Sequence, residues 1–505
     1  VSAQLVIVNV SVSDKDGRPI RHLTPDKFHV SEENGIRRDL VPQTVVSADE
    51  HDAPDPADAW PLPVLPPGVY SNIPGAPVAD ALTVLLLDSQ GTNVATQQRL
   101  REQVVKFARE SPPGIRIAIF RTGPSLELIQ GFTSDHDALV AALNRQESMP
   151  AIRIATPRPD LQEGAWFETL TQYLARFPGR KNILWFASTF PSQDPFTLNQ
   201  NVLFGDVNVL SAQMVAADGK THLPVRDLVV YPIDPVAIQA PPMFNAGNER
   251  GGGLGNPYAP RSDRSTALAQ TAMDVLAGET GGKAFYNSND LAGKMAKAVE
   301  AGSNYYTIAY TPTQLKTDGS TRHVSIDVKV PGAHAAYRHE YIAHVATAAD
   351  ALPDPRMVAM ERGAPDYTQI LFRTRVQALA SQPDLADPAV RAGELAGSLK
   401  GPLVRYGIDW AADLHGINAP LGADGVRHTN VIVMAIAYDD YANPLNSVAN
   451  KVEDSLTPEQ YAEAMKTGMQ YHQMLDLPKG TVFVRLVIED SAGRVGATEV
   501  ALKVP

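Results

Sequence analysis

Apolar and polar residues alternate along LVIVNVSV at residues 5–12, a period of two that predicts a half-buried strand. The turn Asp14-Lys15-Asp16-Gly17 follows and leads into extended stretches at 19–23 and 28–32, a small antiparallel unit. From residue 82 the pattern changes: the apolar runs LTVLLLD, IRIAIF, NILWFAS, DLVVYPID and KAFY are separated by helical stretches at 97–109, 135–143, 164–177, 266–277 and 291–301. Strands alternating with helices of this length predict a mostly parallel sheet covered on both faces, an α/β doubly wound, Rossmann-type domain. Such sheets hold ligands in the crevice at the carboxyl ends of their strands.

Period two returns at 305–310, 323–330 and 336–341. The expected organisation is an N-terminal β segment (1–50) that packs with strands of 303–345 as one β-sandwich, with the α/β domain (81–302) inserted between them. Residues 51–80, rich in Pro, Ala and Asp as in PLPVLPPGVYSNIPGAP, are expected as an extended surface linker. Residues 351–505 carry strand patterns at 367–379, 404–414, 429–440, 480–490 and 497–504, with helical patterns at 390–399 and 458–469. They predict an immunoglobulin-like β-sandwich with helical insertions, so the chain is multidomain and α+β overall.

Composition narrows the function. The net charge of -12, from 44 Lys and Arg against 56 Asp and Glu, disfavours the phosphate contacts that dominate nucleic-acid affinity. No apolar run approaches the roughly 20 residues that cross a bilayer. Cysteine is absent, which removes disulfides, thiolate metal sites and a thiol nucleophile. The chain opens on Val-Ser-Ala-Gln and enters a strand at once, from which an extracytoplasmic protein, periplasmic or secreted after signal-peptide removal, is expected.

Several stretches carry a family resemblance: VIVNVSVSDKDGRPIRHLTPDKFHVSEENG, LTVLLLDSQGT, LAGETGGKAFYNSNDL, and NYYTIAYTPT with VSIDVKVPGAHAAYRHEYIA. In order and wording they resemble the acidobacterial group of von Willebrand factor type A (vWA)-related proteins, over residues 1–343. The resemblance implies a metal-ion-dependent adhesion site on an Asp-x-Ser-x-Ser loop, completed by a Thr and an Asp from two further loops. Here the first loop reads Asp88-Ser89-Gln90-Gly91-Thr92, so Asp88 matches the family Asp, Thr92 can replace the second Ser, and Gln90 departs from the pattern. After NILWFA the family Asp is replaced by Ser188, followed by Thr189. Magnesium favours hard oxygen ligands in octahedral array, so Asp88, Thr92 and Ser188 form a degenerate candidate metal site. Residues 88–92 with Ser188 and Thr189 form the candidate partner-binding loops, and no catalytic residue is assigned.

Other motifs read as structure. GETGGK lacks the leading Gly and trailing Ser or Thr of a phosphate-binding loop, and ends a predicted helix instead of opening one. GPSLE lacks the final Gly of a nucleophile elbow. The expected function is a non-enzymatic protein-binding or adhesion module. Its alternatives are a structural subunit of an extracytoplasmic assembly, with a protein partner or further copies of itself, and an enzyme.

Overall fold

The computed structural model describes residues 5–34, 39–88, 94–122, 126–145, 152–153, 165–187, 227–236, 263–314, 320–342, 353–439 and 441–505. The chain begins with β1 (Val6–Ser13), β2 (Phe28–Asn34), β3 (Asp39–His51) and the short β4 (Val69–Ser71). Next come β5 (Leu82–Asp88), α1 (Val94–Glu110), β6 (Arg116–Thr122), β7 (Glu127–Thr133), α2 (His136–Arg145), β8 (Ile152–Arg153) and α3 (Ala165–Leu174). The block continues through β9 (Lys181–Phe186), β10 (Leu228–Ile233), α4 (Asp263–Thr280) and α5 (Leu291–Ser303). Four strands follow: β11 (Tyr305–Thr311), β12 (Thr321–Val328), β13 (His334–Tyr337) and β14 (Glu340–Ile342). The last part comprises α6 (Pro355–Met360), β15 (Tyr367–Thr368), β16 (Phe372–Ala378), β17 (Leu403–Ala412), β18 (Arg427–Tyr438), β19 (Pro444–Leu456), α7 (Pro458–Thr467), β20 (Met469–Pro478), β21 (Gly480–Asp490) and β22 (Val495–Val504). The protein is thus a mixed α and β structure built on several sheets.

The middle block forms a six-stranded sheet in the order β10-β9-β5-β6-β7-β8. β10, β9, β5 and β6 run parallel, and β7 and β8 complete one side as antiparallel strands. The apolar runs of the parallel strands follow from burial on both faces. Val84, Leu86, Phe120 and Trp185 pack against α3 and α4, while Leu85, Leu87, Ile119 and Phe186 pack against α1, α2 and α5. β7 answers to no expected strand: ELIQGFT is interrupted by Gln130 and Gly131 and lacks a clean alternation. KAFY contributes an isolated bridge from Phe285 to Ile233 instead of a full strand.

Residues from the two sides of this block share one antiparallel sheet, in the order β13-β1-β11-β3-β2-β12-β14. β11 lies between β1 and β3, so the N-terminal strands enclose a strand that arrives about 250 residues later. Val10, Val30, Tyr310 and Ile326 form its core, and the amide of Ile326 donates to the Tyr337 hydroxyl (2.8 Å), bringing edge strand β13 back onto β12.

This sheet meets the amino ends of the parallel strands through a chain of hydrogen bonds. Asn9 Nδ2 donates to Asp227 (2.6 Å), the Thr307 hydroxyl donates to Asn9 Oδ1 (2.9 Å), and His51 spans Thr307 and Asp80 at 2.9 Å each. His51 stacks on Tyr305 with ring centroids 4.4 Å apart, and the guanidinium of buried Arg180 lies 4.9 Å from the Tyr305 ring centre. Next to Arg180, Lys181 is buried, and desolvation, partly opposed by Asp227, lowers its pKa to about 8.

The C-terminal part packs a five-stranded sheet (β15-β22-β21-β18-β19) on a four-stranded one (β20-β17-β16-β4). Phe372, Trp410 and Leu475 from one sheet meet Val433 and Leu486 from the other. Buried Gln473 accepts from Trp410 Nε1 (3.1 Å) and donates across to the Val433 carbonyl (3.0 Å). Three sequence expectations change here. The 367–379 strand is broken into β15 and β16, which enter different sheets. The helical pattern at 390–399 yields the 3-10 turns Pro388–Val390 and Ala396–Ser398, separated by Gly393, whose φ of 116° lies outside the helical region. The Pro-rich stretch expected as a surface linker supplies β4, which pairs with β16. Buried Asn72, next to β4, explains the break: it donates to the carbonyls of Tyr367 and Ile370 and accepts from the Phe372 amide, each at 2.8 Å.

Residues 359–366 join the sandwich to the middle block. Arg485, 1% exposed, donates to the carbonyls of Ala359 (2.7 Å) and Pro365 (2.6 Å), and the Phe132 amide of β7 donates to Gly363 (3.0 Å). The backbones approach so closely that a Cβ on Gly131 would lie 2.4 Å from Gly363 Cα. Gly131→Ala should therefore cost about 1–3 kcal/mol. Gly278→Ala, on an exposed helical turn with open space around the new methyl, should stabilise by about 0.5–1 kcal/mol. Urea unfolding of both variants checks the pair, and equal shifts would contradict the close-packed joint.

Lys181 makes a prediction about pH. Between its folded pKa of about 8 and an ordinary lysine value, the unfolded chain holds a proton that the folded chain does not, so stability rises with pH across that window. Lys181→Met removes this dependence. Its stability advantage over the parent should shrink by on the order of 2–3 kcal/mol between pH 8 and pH 10.5, read by chemical denaturation at each pH.

Candidate functional site

The carboxyl ends of the parallel strands converge on β5. Six consecutive buried residues, 82–87, precede half-buried Asp88, so the strand delivers its single carboxylate at the sheet's edge. The register sets Thr122, at the end of β6, beside Asp88. Buried Thr122 donates its hydroxyl to Asp88 Oδ1 at 2.9 Å, which fixes the carboxylate toward β6. β9 ends at Phe186 and buried Ala187. β10 is followed by buried Asp234, whose Oδ1 accepts from the Val236 amide (3.0 Å) and whose own amide donates to the Phe285 carbonyl (2.8 Å).

Arg99 of α1 binds the neighbouring turns together. Its guanidinium donates to the carbonyls of Pro235 (3.3 Å), Ser288 (3.4 Å) and Asn289 (3.1 Å). Asp290 caps α5 by accepting from the Gly293 amide at 2.9 Å. This side of the sheet is therefore a row of strand-end polar groups, held by one arginine and one helix cap.

Of the residues singled out from the sequence, Asp88 stands at the predicted place. Ser89, Gln90, Gly91, Thr92, Ser188 and Thr189 lie outside the described residues, as do residues 241–262 of the glycine-rich stretch. Among the described residues no cluster of three His, Asp or Glu is placed to hold a metal ion. The described part of the candidate donor set is the Asp88 carboxylate, a hard oxygen ligand that suits magnesium in kind, and Thr122, outside that set, places a hydroxyl beside it. Thr122, Asp234 and Arg99 were not singled out. Thr122 had a readable signal, since IAIFRT and VLLLD both close an apolar run on one polar residue, and parallel register sets such ends side by side. Asp234 carried the same signal, closing the run LVVYPI, whereas Arg99 had none, because its partners are groups far along the chain.

Among the hydroxyl–imidazole contacts elsewhere, Ser111 Oγ is 3.2 Å from His136 Nε2. Ser111 is buried and donates to the Ala108 carbonyl at the end of α1, which gives it a role as a helix terminator.

No protein-family model and no curated protein matches the chain. Solved structures overlap it in part. Proximal thread matrix protein 1 from the mussel byssus is 10% identical, with 44% of this chain and 48% of that one covered and a TM-score of 0.25. This chain thus spans about half the length of the mussel protein. An aerotolerance-related membrane protein from Bacteroides fragilis is 13% identical over 44% of this chain and 98% of its own, with a TM-score of 0.25. The vWF domain of a type V pilus tip protein from Porphyromonas gingivalis is 11% identical over 45% and 97%, with a TM-score of 0.26. None of these comes from an acidobacterium, and nothing supports that part of the resemblance.

The Thr122–Asp88 contact is testable without any ligand. Thr122→Val keeps the shape and removes the donor, so it should destabilise the chain by about 1–2 kcal/mol. In an Asp88→Asn background the same substitution should cost less, and a double-mutant cycle of thermal or urea unfolding measures the difference.

Proposed function

We propose that this protein is a non-enzymatic binding module of vWA-like, doubly wound fold that takes a protein partner at the carboxyl end of its parallel sheet. Asp88 carries the reading: the central strand ends on a carboxylate, oriented by a buried hydroxyl, where sheets of this kind present their ligands. In this reading Asp88, Thr92 and Ser188 hold a magnesium ion whose open position accepts an acidic group of the partner, and residues 88–92 with Ser188 and Thr189 form the contact loops. The chain divides into residues 81–302 as the vWA-like domain, 1–50 with 303–345 as the β unit that carries it, and 351–505 as the immunoglobulin-like sandwich. An adhesion or assembly role outside the cytoplasm fits a protein whose helices, among the described residues, are too short or too polar to cross a membrane.

A second reading is favoured by one observation: Asp88 Oδ1 is already engaged by Thr122, so the carboxylate can brace the loop with no ion present. The protein is then a structural subunit with a metal-free site. Thermal unfolding with magnesium, manganese or chelator separates the two. On the first reading metal raises the midpoint of the parent, with about 2.7 kcal/mol at 100-fold saturation, and leaves Asp88→Ala unmoved. If neither chain responds, the metal-dependent reading fails and the structural one stands.

A further inference from the structure

A cavity of 790 Å³ opens where the middle block, the Pro-rich stretch and the C-terminal sandwich meet. Its volume lies within the range of about 300–1,000 Å³ usual for small-molecule sites. One wall is apolar, from Leu62 and Leu65 of the Pro-rich stretch and Leu128 and Phe132 of β7. The Trp60 amide donates to the Gly75 carbonyl at 2.8 Å, which folds this stretch over the opening as a strap.

Three arginines line the rest, and they differ in how their charge is answered. Arg121 Nε donates to Glu127 at 2.7 Å. Arg362 lies 3.4 Å from Glu499 and its guanidinium sits 3.4 Å from the Phe483 ring centre. Arg116 hydrogen-bonds only to carbonyls: Nη2 donates to Ala79 (2.8 Å) and Asp80 (3.3 Å), its buried Nε has no hydrogen-bond partner, and the Asp80 and Asp366 carboxylates act on it only through space. Among the described residues no carboxylate comes within salt-bridge distance of it. A guanidinium withdrawn from water in this way favours an anion.

We propose that this cavity binds a small amphipathic organic anion, with its acidic group against Arg116 and its apolar body along Leu62, Leu65, Leu128 and Phe132. The site shares no residue with the Asp88–Thr122 pair and does not rest on the proposed function.

Asp366 makes the affinity depend on pH. Its side chain lines the cavity, where desolvation by the surrounding walls outweighs the nearby Arg485 and raises its pKa to about 6. The groups that face it are Arg485 of β21 at 3.7 Å, Thr498 and Glu499 of β22, and Arg116 of β6. Protonation removes a negative charge from the anion's surroundings, so binding tightens as pH falls from 7.5 to 5.

The probe is 8-anilinonaphthalene-1-sulfonate, titrated by fluorescence into the full chain. One saturable class of sites is expected, displaced by decanoate and not by decanol. Arg116→Gln should weaken binding about tenfold or more, in line with removing a charge that is paired in the complex. Asp366→Asn should hold the tighter affinity across the pH range. Ala141→Trp, at an exposed position on the rim, blocks the cavity without touching the core and serves if Arg116→Gln fails to fold. Absence of saturable binding, binding unchanged in the folded variants, or displacement by decanol as effective as by decanoate would each overturn the proposal.

Discussion

Strand β11 occupies the slot between β1 and β3, and the rest of the architecture answers to that pairing. A β-strand in mid-sheet must hydrogen-bond on both edges, so the N-terminal strands cannot complete their sheet until some 250 residues have been made and folded back. The intervening chain leaves from the end of β3 and returns through α5 directly into β11. The middle block is therefore anchored at both ends to one sheet. This non-local closure ties the two units together through the backbone.

Side chains then fix the angle of the joint. The sequence Asp227–Asn9–Thr307–His51–Asp80 runs from β10 through β1 and β11 to the end of β3 and the approach to β5. Its polarity is set from one end: the Asp227 carboxylate can only accept, so Asn9 turns its amide toward it and its oxygen toward Thr307. In this partly exposed network each hydrogen bond orients the next, so a slip at the joint breaks several contacts at once. Buried Lys181 beside it shows the cost of placing a charge in the same layer.

The opposite joint, to the C-terminal sandwich, is made of backbone. Gly131 meets Gly363, Arg485 holds the 359–366 segment through its carbonyls, and the Pro-rich stretch lends β4 to the sandwich before entering β5. Two glycines allow an approach that side chains would forbid, while the surfaces beside that contact cannot close completely. The proposed anion site occupies the gap that remains. The Asp88–Thr122 pair at the carboxyl end of the sheet shares no residue with either joint.

Periodicity in the sequence determined the strands whose burial is uniform. LTVLLLD, NILWFAS and LVVYPI are apolar at successive positions through their centres because both faces of a parallel strand are covered, and alternation in LVIVNVSV marks a sheet with one buried face. Asp88 was legible for the same reason, as the polar residue that closes an apolar run. Tertiary structure alone decided features whose causes lie far along the chain. β7 is a strand because β6 offers it an edge, the Pro-rich stretch contains β4 because β16 does, and Asn72 divides β15 from β16 across some 300 residues. Thr122 gained its role only when parallel register set it beside Asp88. Local patterns record how each segment meets solvent or core, whereas pairing across the chain depends on which edges and unmet hydrogen bonds the folded molecule brings together.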